Sequence, residues 1–99
     1  MNGIHQFLYF FIVLDALFGV IGNVEESIKK GISSYLTEPE WQKKIKKLFD
    51  LRSELVHGGS SYIEEWKGYD SYVNHFNSSP ERDIEIAATK CLREYVISK

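Results

Sequence analysis

Arg52 and His57 stand five positions apart, and the chain then meets two glycines, Gly58 and Gly59. Histidine both accepts and donates a proton near neutral pH, and a planar guanidinium binds two phosphate oxygens at once. Side chains of these two types suit phosphodiester cleavage by proton transfer and charge neutralisation. Trp41, Ile45, Leu48, Arg52, Leu55 and Val56 recur at three-and-four spacing, so Arg52 falls on the apolar stripe of its own helix. A guanidinium there must find an anion or acceptors to offset its desolvation. Either an ion pair with Asp15 or Glu26 or a bound phosphate would serve, and the two are compatible because a phosphate site also needs its arginine held.

Five residues along an ideal helix turn it by about 140°, so Arg52 and His57 do not share a face and a site using both would be composite. Ser53 lies only about 40° from His57 and can hydrogen-bond the imidazole or a substrate. The bland reading of His57 is a helix-ending residue favoured by the dipole and followed by a glycine cap.

The elements that would carry these residues are all helical. A first helix is predicted over Ile4–Ile21, broken by Gly22 and Asn23. Asn23 with Glu26 resembles a capping box, opening a second helix striped by Val24, Ile28, Ile32, Tyr35 and Leu36, with Gly31 weakening its middle. Thr37 is predicted to cap a third helix, with Pro39 in its first turn, Glu40 reaching back and His57 at its end. Within 60–79 the spacing of Tyr62, Trp66, Tyr69, Tyr72, Val73 and Phe76 predicts one or two short helices around Gly68. Ser79-Pro80 starts a last helix, striped by Ile84, Ala87, Ala88, Cys91, Leu92, Tyr95 and Val96. With no strand pattern, the fold is expected to be an all-α, antiparallel up-and-down bundle of four to five helices forming one domain over residues 1–99.

Ninety-nine residues allow one small core, and the surplus of large apolar residues in Phe7–Ile21 and Tyr62–Phe76 points to a homodimer. The net charge of −2 excludes broad nonspecific nucleic-acid binding, so any RNA contact must be local. Cys91 is alone, and no Cys/His cluster has metal spacing, so neither an intramolecular disulfide nor a metal or other cofactor is expected. The run FLYFFIVLDALFGVI is too short to span a bilayer and carries Asp15. No Lys or Arg precedes it and no small-x-small cleavage site follows, so a buried helix in a cytoplasmic protein without membrane contact is expected, ahead of a secreted or membrane-associated bundle.

The string Asp50-Leu51-Arg52-Ser53-Glu54-Leu55-Val56-His57-Gly58 resembles the D-x-R-S-x-x-V-H-G signature of the HEPN superfamily, most closely its Apea-like group. Leu14-Asp15-Ala16-Leu17 is similar to a Leu-acid-x-Leu run on the first helix of such domains. The resemblance implies a HEPN-type bundle and, by way of many relatives, metal-independent endoribonuclease activity. A composite Arg-x4-His site would form at the homodimer interface, in prokaryotic defence or toxin-antitoxin systems. His57 would then shuttle protons while the RNA's own 2′-hydroxyl attacks the neighbouring phosphate, and Arg52 would hold the charge that develops. Ser53 departs from the Asn, Asp or His that active relatives often carry after the arginine. Other relatives only dimerise or bind, so the alternative is a noncatalytic module recruiting RNA or a protein, such as a nucleotidyltransferase-like antitoxin.

Lys43, Lys44, Lys46 and Lys47 are expected on the outward face of the motif's helix, partly paired through Glu40–Lys44 and Lys46–Asp50. Lys43, Lys44 and Lys47 are the candidates for guiding single-stranded RNA toward the site. The aromatic row from Tyr62 to Phe76 is expected to pack in the core or a dimer interface, ahead of stacking on bases.

Overall fold

A computed structural model describes residues 3–19, 22–59 and 62–97. Its elements are α1 (Gly3–Phe18), α2 (Val24–Tyr35), α3 (Glu40–Val56), a 3₁₀ turn (Ile63–Glu65), α4 (Tyr69–Phe76) and α5 (Pro80–Ile97). The architecture is an all-α bundle, with no strand among the described residues. The predicted short helical pieces around Gly68 are the 3₁₀ turn and α4, and Gly68 itself is the N-cap of α4.

One continuous core joins Phe7, Phe11 and Leu14 of α1, Ile28 and Ile32 of α2, Ile45, Leu48 and Leu51 of α3, and Ile84, Ala87 and Cys91 of α5. The spacing of these residues is the helical period read directly. α1 packs most extensively on α5, which buries the small Ala87 and Ala88, and α2 leans on α1, α3 and α5. Gly31 is where α2 meets α1, because a Cβ there would run into the Phe18 ring. Phe18 in turn stacks on Tyr35 at 6.2 Å and meets the edge of Tyr95.

Helix starts depart from expectation at two places. Asn23 is the N-cap of α2 but makes no side-chain cap; Ser27 donates from both its N–H and its Oγ to the Asn23 carbonyl, and Glu26 pairs with Lys29 at 3.7 Å. Thr37 does not cap α3. Leu36 is extended, the helix begins at Glu40 with Pro39 as N-cap, and Glu40 points forward to Lys44. Proline without an N–H fits that position as well as it fits the first turn. At α5, by contrast, Ser79 accepts from the Arg82 N–H at 3.2 Å, as its sequence position predicts.

α1 ends at Phe18, with the Gly19 N–H donating to the Asp15 carbonyl at 2.8 Å; the predicted extension to Ile21 falls on residues 20 and 21, outside the described ones. Among the described residues no helix is long and apolar enough to cross a membrane.

Candidate functional site

The sequence motif closes α3. Gly58 takes φ +73°, a left-handed conformation that a Cβ would disfavour, and this lets the chain turn back on itself. The Gly58 N–H then donates to the Leu55 carbonyl at 3.2 Å and the Gly59 N–H to the Glu54 carbonyl at 2.9 Å. These are the paired bonds of a Schellman ending, which satisfies carbonyls the helix leaves open. His57 is therefore a C-cap residue, at the end where partial negative charge collects.

The imidazole folds back along its own helix. Nδ1 lies 2.8 Å from the Ser53 carbonyl, which can only accept, so Nδ1 carries the proton in this bond. Ser53 Oγ sits 3.4 Å from the same nitrogen and shares it. In the neutral ring Nε2 is then the unprotonated nitrogen, exposed and without a partner among the described residues. The expected proximity of Ser53 and His57 is thus present, and what it fixes is the tautomer.

Arg52 takes a different direction. It is half-buried, with its guanidinium carbon 5.4 Å from the Phe11 ring centre and 5.9 Å from that of Phe49. The two rings meet edge to face at 5.1 Å and form an aromatic corner under the cation. The ion pair expected with Asp15 or Glu26 is not formed: among the described residues no carboxylate lies within 4 Å of Arg52. Ring faces supply compensation where the sequence offered an acid or a phosphate, and among the described residues the edge-on donors have no hydrogen-bond partner.

Lys44 is the clearest correction. It is not on the solvated face but 6% exposed, and its ammonium lies 3.5 Å from Asp83 and 3.8 Å from Glu40, above the rings of Trp41 and Phe76. Lys44 is a step of about 100° from Lys43, enough to carry it from the outer stripe onto the buried side. It therefore cannot serve as a surface RNA contact. Lys43, Lys46 and Lys47 are exposed, and among the described residues none has a carboxylate within 4 Å, so the expected Lys46–Asp50 pair is absent. Asp50 instead accepts from the Trp66 indole N–H at 3.3 Å, tying the motif's first residue to the chain after the 3₁₀ turn.

Asp83, which the sequence did not single out, organises the buried polar cluster. Its Oδ2 accepts from the Tyr72 hydroxyl at 2.6 Å and the Ser78 hydroxyl at 2.7 Å besides facing Lys44. Burial, then the hydrogen bond to the neighbouring carboxylate, pushes the Tyr72 phenol well above its ordinary range. The only advance hint was an acid in the first turn of a helix, an ordinary place for one.

Among the described residues no group of three or more His, Cys, Asp or Glu is placed to hold a metal ion. Comparison with family models, with curated proteins and with solved structures finds no match.

Proposed function

We propose that this chain is a HEPN-type, metal-independent endoribonuclease acting as a homodimer, with His57 as its proton shuttle and Arg52 as its phosphate-holding cation. The observation that carries the proposal is the exposed imidazole, held through Nδ1 by the Ser53 carbonyl so that Nε2 is the free base. Nε2 would take the proton of an RNA 2′-hydroxyl as that oxygen attacks the adjacent phosphorus. The bond to the 5′-oxygen breaks, a protonated imidazole returns a proton to it, and the products carry a 2′,3′-cyclic phosphate and a 5′-hydroxyl.

Support for a dimer comes from the surroundings of Arg52. Val56, one turn further along the same face, is 61% exposed, and Ile12, beside Phe11, is 65% exposed. Exposed apolar side chains on the two helices that meet at Arg52 suit a second copy, which would bring its own His57 toward Arg52 and bridge the roughly 140° that separates the two within one helix.

The test is purified protein in excess EDTA with single-stranded RNA and the matching DNA. Cutting of RNA to cyclic-phosphate ends, DNA left intact for want of a 2′-hydroxyl, and a loss on the order of 10²-fold in His57→Ala are expected. Light scattering should give twice the chain mass. An inert dimer, or activity that survives His57→Ala, would favour the noncatalytic interaction module. That second reading has its own support, since Arg52 on Phe11 and Phe49 also reads as a packing residue.

A further inference from the structure

Between α3 and α4 lies a cleft of about 360 Å³ lined by Lys43, Lys46, Lys47, Ser71, His75 and Phe76, with no carboxylate in its walls. Its apolar side is aromatic. Phe76 packs on Tyr72 at 4.7 Å, and His75 meets Phe76 edge to face at 4.6 Å. This floor is fixed from beneath, because Tyr72 is held by Asp83 and Lys44 lies 5.6 Å from the Phe76 ring centre. Cationic rim and aromatic floor together match a nucleotide: ammonium groups for the phosphate, ring faces and edges for the base.

Lys46 and Lys47 also border a second cleft of about 390 Å³, which reaches Phe49, Asp50 and Ser53. On α3 the residues Lys43, Lys46, Lys47, Asp50, Ser53 and His57 recur at three- and four-residue steps, so they form one exposed stripe. From Lys43 to His57 the stripe runs about 21 Å along the helix. Asp50 and Glu25 interrupt its positive character, but Asp50 is engaged by the Trp66 indole. Three cations without carboxylate partners among the described residues thus stand at one end of the stripe and the exposed imidazole at the other.

We propose that this stripe docks single-stranded RNA, with phosphates on Lys43, Lys46 and Lys47 and one base seated against His75 and Phe76. The choice of RNA over another polyanion rests on the reading of His57 as the cleaving group; the docking surface stands on the lysines and the aromatic cleft.

Equilibrium binding of a short, fluorophore-labelled single-stranded RNA to the His57→Ala protein separates docking from cutting. In that background Lys43→Gln/Lys46→Gln/Lys47→Gln should raise Kd on the order of tenfold or more. It should also flatten the dependence of log Kd on log salt by about two, because each phosphate contact on a single strand contributes about 0.7. His75→Ala, at an exposed position, should weaken binding about fivefold with the salt slope unchanged. An unchanged Kd and slope in the triple variant overturns the proposal, as does absence of RNA binding at low salt. If the wild-type protein fails to cut but the triple variant loses binding, docking stands and cleavage falls. If the wild type cuts, and the three lysine substitutions leave binding unchanged in the His57→Ala protein and cutting unchanged where His57 is intact, cleavage stands and docking falls.

Discussion

Asp83 and Lys44 show how much one buried pair can organise. Removing the carboxylate would leave an ammonium that is 6% exposed with Glu40 as its one remaining carboxylate among the described residues, and would strand the Tyr72 and Ser78 hydroxyls. Asp83→Ala is therefore expected to cost about 3–5 kcal/mol, measured by urea unfolding. Lys44→Met in the same protein should recover part of the loss by removing the orphaned charge. A loss under about 1 kcal/mol for Asp83→Ala alone would mean the cluster does not hold α3, α4 and α5 together. His57 is the opposite case. Its exposed ring hydrogen-bonds Ser53 alone among the described residues, so His57→Ala should change stability by no more than about 0.5 kcal/mol, and lost activity in that variant reports on chemistry and not on folding. The Arg52–His57 spacing and the nearness of Ser53 to His57 were legible in the sequence. The ring faces under Arg52 were not, because Phe11 is 41 positions away and only the α1–α3 approach brings it there.

Among the elements, α3 was legible at its end and obscure at its start. A left-handed C-terminal cap is a local requirement that Gly58 announces by type, whereas the N-terminus depends on how Leu36 leaves α2. The same distinction governs Gly31, which by propensity alone weakens α2. Alanine there would add about 1 kcal/mol of helix preference but would push a methyl into the Phe18 ring. Overpacking of that kind costs about 1–3 kcal/mol, so Gly31→Ala is expected to lower stability by about 1 kcal/mol and Tm by about 4–8 °C in a domain of this size. A raised Tm in a thermal scan would show that α1 and α2 separate freely at that crossing.

At the scale of the whole molecule, α5 leaves Leu92, Val96 and Ile97 exposed although the sequence stripe included the first two in the core. The stripe is wider than the face the neighbouring helices cover, since Leu92 and Val96 lie about 100° and 140° around the helix from the buried Cys91. Core burial also sets a pH limit. Burial pushes the Cys91 thiol from its ordinary 9.0 up to about 11, and Tyr72 moves in the same direction. The folded protein thus holds protons that the unfolded chain releases, so this contribution is complete below about pH 9 and is lost as pH rises toward 11. Urea midpoints should fall across that window, and less steeply in Cys91→Ala. A flat profile would show that the thiol ionises freely in the folded state.

Helix number, the absence of strands among the described residues, the Gly58 ending of α3 and the Ser79 start of α5 were determined by the sequence alone. Each follows from periodicity or from a residue's own backbone chemistry, which act over a few positions. Tertiary structure alone decided that Lys44 is inside, that Arg52 rests on rings, and that Lys43, Lys46 and Lys47 share a cleft with His75 and Phe76. Those outcomes depend on which helix meets which face. A periodic pattern says that a stripe is buried, and the partner laid against it sets where the stripe ends.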